Sequence, residues 1–387
     1  MTASHFQSAT IPQDRLLPGI HGLRGIAAME VVLYHLVHLV KIKPPAGFTF
    51  ITSDFGYGVH LFFILSAFSL MHSTEHTLSR PTWAWEYFIK RLFRIAPLFY
   101  FLLAIMVWKP SLLVRPMEEI IQTLLLNLTF TFGFTPWAGI VWAGWSVGVE
   151  MMFYVIFPVL LLTLRSTSAT FWLLLASLVV SYASRSILYV HFANSTLHNT
   201  YNWAYFSFTP NLCFFAMGIY AYRLSRVIGL NSILIRRVIP AGTLALLGVL
   251  MFTTLAGPLH GTARIDLMLW GTAFAALTLW QGTLPSAWCS NRFFTYVGER
   301  SYSIYLLHPV VIGALFKQPL YNLYNALSPQ IGSYAYFICL LVVMVPLLLL
   351  SELTYRFIEV PGIQYGQRLN RKIRNNLGKS SSVYSAL

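Results

Sequence analysis

Charge is what this chain has least of. Only 10% of its 387 residues are Asp, Glu, Lys or Arg, and just 12 of them are acidic, where a soluble domain carries about a quarter charged residues. So little charge cannot clothe a water-facing surface, which excludes an ordinary soluble domain. Cysteine is equally scarce. Cys213, Cys289 and Cys339 stand far apart, two of them in apolar segments, so they form neither a disulfide framework nor a metal-ligand spacing and read as small apolar packers. A phosphate-binding glycine loop, an HExxH pair and a nucleophile elbow are all missing. No metal site is expected. No linker or low-complexity stretch divides the sequence, and it lacks the internal repeat that many transporters carry. The opening MTASHFQSATIPQDRL has neither the charged start nor the short apolar core of a cleaved signal, so the first span is expected to act as an uncleaved anchor.

What the chain has in abundance is apolar surface: 57% hydrophobic residues, 16% aromatic, and a mean hydropathy of +0.64. Runs long enough to cross a bilayer fall near 20–41, 56–74, 92–109, 142–164, 169–190, 207–223, 238–257, 265–282, 296–316 and 334–356. The expected fold is therefore all-α, a polytopic transmembrane helix bundle of about ten spans. An eleventh run, 119–135, is shorter and carries Gln122, Asn127 and several threonines. Counted as a full crossing, it would put the Arg223/Arg226/Arg236/Arg237 loop and the basic C-terminal residues outside. Counted as re-entrant or interfacial, it keeps both inside together with Arg80, Lys90, Arg91 and Arg94, as the positive-inside rule prefers. Both termini are then cytoplasmic, in an integral protein of the plasma (inner) membrane. Residues 1–361 make one membrane domain and 362–387 a polar, basic tail expected to fray. The net charge of +14 sits in inter-span loops and in this tail, at Arg368, Arg371, Lys372, Arg374 and Lys379, where it meets anionic headgroups. Nucleic acid is not an expected partner; the lipid bilayer is.

Against this apolar background a few ionisable residues stand out. Arg24 and His35 lie eleven positions apart in GLRGIAAMEVVLYHL, and eleven steps of about 100° return them to one helix face, roughly 16 Å apart along the axis. A cation near the membrane edge thus lines up below an imidazole near mid-bilayer, at an insertion cost of about 2.5–3.5 kcal/mol for a charged residue. An imidazole at that depth can take a proton from a hydroxyl or carry a group transiently; the competing reading is a histidine bonded to a neighbouring helix. Glu30, about 140° away on the same helix, is expected to pair with another helix. Arg91 and Arg94, with Lys90, share a face at the entrance of the third span. Guanidinium pairs suit a polyphosphate, although basic residues there also fix topology. Glu150, in WAGWSVGVEMMFYVIFP, must be protonated or paired, and would activate a histidine partner or form a structural ion pair. Ser301, Tyr305 and His308, in GERSYSIYLLHP, fall near one face; His308 would orient an acceptor or satisfy a helix end before Pro309. His60, opening the second span, is expected to be interfacial.

In order along nearly the whole chain, LRGIAAMEVVLYHL, GVHLFFILSAF, KRLFRIAP, WSVGVEMMFYVIFP, GERSYSIYLLHP and Glu359-Val-Pro361 resemble the acyltransferase 3 family of integral-membrane O-acyltransferases. The resemblance implies a ten-span bundle that moves an acyl group, commonly acetyl, from cytoplasmic acyl-CoA to a hydroxyl of a cell-surface glycan, a lipid-linked sugar or a small metabolite. It carries the arginine–histidine pattern to Arg24 and His35 and the paired arginines to Arg91 and Arg94. Ala67 departs from it, standing where the family often has glycine, and this touches packing rather than chemistry. Many relatives append an extracytoplasmic hydrolase-like domain; none is expected here, so a second transfer step would need a partner protein. The implied mechanism has Arg91, Arg94 and Arg24 holding acyl-CoA, His35 as general base or acyl relay, Glu150 acting on a histidine, and Ser301, Tyr305 and His308 at the acceptor. The rival reading is a secondary transporter with an intramembrane charged site.

Overall fold

A computed structural model describes residues 17–108, 112, 114–135, 138–192, 204–252 and 265–384. Every regular element among these residues is helical: α1 Pro18–Val40, α2 Gly58–Glu75, α3 Trp83–Met106, α4 Met117–Leu128, α5 Trp145–Thr163, α6 Thr167–Phe192, α7 Phe208–Val227, α8 Ile239–Phe252, α9 Ile265–Thr283, α10 Arg292–Glu299, α11 Ser301–Pro309, α12 Lys317–Ile331, α13 Ala335–Thr354 and α14 Val360–Tyr384, with a single α-turn at Phe50–Ser53, short 3₁₀ turns and three π-helical segments between them. Helix makes up most of the described part of each apolar run read from the sequence. Among the described residues, six helical stretches are long and apolar enough to cross a membrane: Pro18–Val40, Ala46–Glu75, Trp145–Thr163, Thr167–Leu188, Leu234–Phe252 and Lys317–Asn376.

The first helix lies at the centre. Pro18 opens it with its fixed φ and its dispensable N–H. Lys41, in the left-handed region at φ 69°, closes it with a backbone bond to Val37. It packs on α2, α9, α10 and α11, and its contact with α10 is backbone on backbone. A Cβ at Gly298 would fall 1.8 Å from the His21 carbonyl oxygen, and one at Gly22 would fall 1.9 Å from that of Cys289. Small residues admit such contacts, and in lipid, where apolar side chains gain little by leaving the solvent, close packing replaces the hydrophobic drive. Farther along the helix the Tyr336 hydroxyl ties α13 to α1 through the Leu33 carbonyl, 2.8 Å away.

The 119–135 run is short in the structure as well. Its helix, α4, has 12 residues, about 18 Å against a hydrocarbon core of about 30 Å. The chain enters and leaves this region at one end of the bundle. α3 and α5 are antiparallel: the Tyr87 hydroxyl bonds the Tyr154 carbonyl at one end, and the Phe99 ring meets Gly144 at the other. Tyr100, beside Phe99, donates to the Leu128 carbonyl at 2.6 Å. Asn127, fully buried, pins the return loop, donating to the Ala138 carbonyl and accepting from the Ile140 amide. Asn127 thus serves to fold the run back on itself.

Two expectations require correction. The residues from 362 onward do not fray where they are described; they continue as α14, which lies along α3. Gly362 meets Pro97, the Tyr365 ring meets Phe93, and buried Asn370 donates to the Glu86 carbonyl. The physical reason is a stripe at helical spacing, Ile363, Gly366, Asn370 and Ile373, which is covered while Arg368, Arg371, Lys372 and Arg374 stay exposed. His60 does not reach the protein surface either, as an interfacial side chain would. It is fully buried, walled by the rings of Tyr57, Tyr205 and Phe214. The three cysteines are free and buried, as apolar packing requires, and burial pushes the Cys289 thiol, in the connection between α9 and α10, up to about 12.

Replacing Gly298 by Leu is expected to cost about 3 kcal/mol or more by overpacking a backbone contact. The same change at Gly248, where a Cβ would meet nothing within 4 Å, should leave the melting temperature in detergent unchanged. Thermal scans of the two purified variants check this.

Candidate active site

Three levels of polar side chains follow one another along α1. At the lowest, α3 presents Lys90, Arg91 and Arg94. Arg91 donates through Nη2 to Ser73 Oγ at 3.4 Å and lies 6.0 Å from the centre of the Tyr154 ring, while its Nε is buried without a hydrogen-bond partner among the described residues. Lys90 sits 3.9 Å from Glu86, which also pairs with Arg80 at 3.3 Å. Ser73, Thr74, Thr77, Tyr87, Lys90 and Arg91 line a cavity of about 170 Å³, a basic chamber with hydroxyl donors, suited to a phosphate.

The middle level surrounds Arg24. Its Nε is buried with no partner among the described residues, and Arg94, Arg91, Glu150 and Tyr154 lie within electrostatic reach. Glu150 Oε1 accepts from Ser66 Oγ at 2.5 Å and from the Tyr154 hydroxyl. Arg24, Glu150, Ser146, Ser301 and Tyr305 line one small cavity of about 30 Å³ with Phe62, Phe63 and Tyr302, room for little more than a water molecule. Ser301 Oγ is buried there without a partner among the described residues. Tyr302 points elsewhere, donating to the Ile95 carbonyl at 2.8 Å and holding α11 to α3.

The upper level is a histidine pair. His308 Nε2 lies 3.2 Å from His35 Nδ1, with the ring centres 4.7 Å apart. His35 Nδ1 also faces the Val31 carbonyl at 2.9 Å, and His308 Nδ1 faces the Tyr305 carbonyl at 2.6 Å. Tyr305 joins this level to the one below by accepting from Ser146 Oγ at 2.7 Å.

The helical spacings read from the sequence therefore converge: Arg24, Glu150, Ser301 and Tyr305 share one cavity, His35 meets His308, and Arg91 and Arg94 stand beneath Arg24. Three assigned roles change. Glu150 bonds Ser66 and Tyr154 rather than a histidine. His308 is fully buried with both ring nitrogens against protein atoms, leaving neither for an acceptor. Glu30 makes no ion pair among the described residues; its carboxylate lies against Gly58 at the start of α2. Sequence reasoning gave no role to Ser66, Tyr154, Ser303 or Glu359. Tyr154 follows Glu150 by four residues, a spacing that signals contact. Glu359 is fully buried, accepts from Ser303 Oγ, and lies within electrostatic reach of Arg94 and Arg24.

Apolar helices enclosing a column of arginine, glutamate and histidine define an integral membrane protein with a buried polar site. The model of the Acyltransferase domain family (Acyl_transf_3) matches residues 17–352, and the chain belongs to that family. It is 25% identical over 386 residues to the protein named "Putative O-acetyltransferase SACOL0978" of Staphylococcus aureus strain COL, covering 90% of this chain and 57% of that protein. It is 23% identical over 378 residues to "O-acetyltransferase OatA" of Staphylococcus aureus strain NCTC 8325 / PS 47, with the same coverage. The chain thus spans a little over half the length of the curated relatives it matches. No solved structure matches it.

The Glu150 carboxylate serves two buried hydroxyls at once. Glu150→Ala should destabilise the protein by about 1–3 kcal/mol, since at least one hydroxyl loses its acceptor, whereas Glu150→Gln, which keeps an acceptor oxygen, should lose less. Melting temperatures in detergent measure the difference.

Proposed function

We propose that this protein is a plasma-membrane O-acyltransferase that takes an acyl group, acetyl in the first instance, from cytoplasmic acyl-CoA and passes it to a hydroxyl of a glycan, lipid-linked sugar or small metabolite. The chain crosses the bilayer ten times with both termini in the cytoplasm, and 119–135 returns to the side it entered from. The observation that carries this reading is the buried Arg24 guanidinium, unpaired at Nε among the described residues, standing between Arg91 and Arg94, of which Arg91 lines a basic chamber with Lys90, and a histidine pair above. That order suits an anionic carrier held at one end and chemistry done at the other. The family membership and the O-acetyltransferase names of the relatives support the same reaction class.

In this mechanism Arg91 and Arg94 hold the CoA phosphates through charge-assisted hydrogen bonds, and Arg24 binds the donor deeper in. His35 acts as general base on the acceptor hydroxyl. Glu150, held by Ser66 and Tyr154, balances the Arg24 charge at the level where the thioester enters. Ser301 and Tyr305 border the same cavity and contact the acceptor. None of these steps calls for a metal.

Binding and slow hydrolysis of radiolabelled acetyl-CoA by purified, detergent-solubilised protein test this. Arg91→Ala/Arg94→Ala should weaken binding about tenfold or more, the worth of one or two charge-assisted bonds. His35→Ala should bind normally and lose turnover. Absence of acyl-CoA binding by folded wild type would sink the proposal and favour ion-coupled transport. Orientation has its own check. In a background freed of the three native cysteines, a cysteine at exposed Gly47 should react with an impermeant maleimide on intact cells, and one at exposed Arg371 only after permeabilisation.

A further inference from the structure

The ring contacts of the histidine pair fix where each proton sits. A backbone carbonyl can only accept, so a ring nitrogen facing one carries the hydrogen. His308 Nδ1 faces the Tyr305 carbonyl at 2.6 Å and is therefore N–H. A neutral imidazole has one such group, so His308 Nε2 is an acceptor. It faces His35 Nδ1 at 3.2 Å, and that nitrogen also faces the Val31 carbonyl at 2.9 Å. His35 Nδ1 is accordingly the donor to both, and the lone pair of His35 is left on Nε2. No two hydrogens point at each other anywhere in this chain of contacts.

The backbone explains why the Tyr305 carbonyl is open to a side chain. In an α-helix it would accept from the amide of residue 309, four positions on. That residue is Pro309, which has no N–H. Directly after it the chain loosens into the π-helical segment Val310–Leu315, a rare form that is frequent at functional sites. Burial completes the arrangement: His308 is fully buried, with the rings of His35 and Tyr305 centred 4.7 and 5.7 Å away.

We propose that His308 is a positioning residue: held by the carbonyl that Pro309 leaves free, it accepts the Nδ1 hydrogen of His35 and keeps the lone pair of His35 on Nε2, the atom that takes the proton of the acceptor hydroxyl. This rests on the reading of His35 as general base. In the step, the hydroxyl proton moves to His35 Nε2 as the hydroxyl oxygen bonds the acyl carbon. The C–S bond of acyl-CoA breaks, and the same proton passes from Nε2 to the departing thiolate, giving free CoA thiol and the ester. The hydrogens on His35 Nδ1 and His308 Nδ1 stay in place throughout. Unlike the carboxylate of a serine-protease triad, the partner is a neutral imidazole, which orients the base without adding a second charge inside the bilayer.

The test joins ¹⁵N NMR of imidazole-labelled full-length protein with acetyl-CoA hydrolysis, water standing in for the acceptor. Wild type should show His35 protonated at Nδ1 alone. His308→Leu should show mixed His35 tautomers and hydrolysis slowed about tenfold or more, with acetyl-CoA affinity unchanged, as expected when a base is misoriented rather than a binding group lost. His308→Gln, whose amide oxygen can accept from His35, should recover both the tautomer and most of the rate. The proposal is overturned if His35 keeps its Nδ1 hydrogen and its rate in His308→Leu, since the Val31 carbonyl would then suffice. It is equally overturned if folded His308→Gln recovers neither. Persistent hydrolysis in His35→Ala is a different failure: it would remove the general-base reading, and the tautomer measurement would still stand or fall by itself.

Discussion

Gly22 and Gly298 let the backbones in and around α1 and α10 touch, and a side-chain carbon at either position would sit inside 2 Å of a carbonyl oxygen. In a bilayer, where apolar surface gains little by leaving lipid, such contacts decide which helix faces meet. Gly22 lies about 140–160° around α1 from Arg24 and His35. Seating the glycine side on α10 therefore turns the ionisable side toward α3, α5 and α11. From that placement the rest follows. Arg24 reaches the level of Glu150 and Ser301, and His35 reaches His308. The cost of placing charge within lipid is offset only because these partners arrive together.

The three levels also differ in how completely their hydrogen bonds close. Glu150 Oε1 is saturated by Ser66 and Tyr154, and the histidine pair is closed at both Nδ1 atoms. Between and beneath them, Arg24 Nε, Ser301 Oγ, Glu359 Oε2 and Arg91 Nε have no protein partner among the described residues. A network meant only to stabilise a fold closes on itself, because an unmet buried group is expensive. Here Glu150 and the histidine pair act as a frame around Arg24, while open valences also occur elsewhere in the bundle, at Trp270 Nε1, Gln281 Nε2 and Ser351 Oγ.

The sequence was legible wherever a single helix carried the information. The eleven-residue interval put Arg24 and His35 on one face, and the shortness of the 119–135 run matches its 12-residue helix. It was illegible wherever two distant segments had to meet. His35 and His308 are 273 residues apart, and Ser66 and Glu150 are 84 apart; helical spacing says which residues share a face, not which faces pair. Hence Glu150 was expected against a histidine and found hydroxyls. His60 misled for a related reason: its place at the start of a span suggested an interface, but Tyr205 and Phe214, from another part of the chain, wall it in. In 362–384 the polar composition hid a covered stripe that only the neighbouring α3 makes visible.

Proline shapes this site by removing donors rather than by kinking alone. Pro309 frees the Tyr305 carbonyl for His308, and the π-helical turn after it lets α11 end beside His35 without continuing as a rigid rod. A second π-helical segment, Tyr355–Glu359, ends on the buried Glu359 carboxylate that faces the arginines. Both deviations sit where a side chain must be aimed at a partner on another helix, and neither has an equivalent in α5, where Pro158 lies beyond the polar cluster and the α-helix runs on to Thr163. The cavity between Arg24 and Glu150 holds about 30 Å³, too little for an acyl group and an acceptor together. Under the proposed function both must be admitted, which requires neighbouring elements to part, and segments with irregular hydrogen bonding yield at lower cost than a regular helix. The same local departures that aim His308 and Glu359 are, on that reading, where the bundle is expected to open.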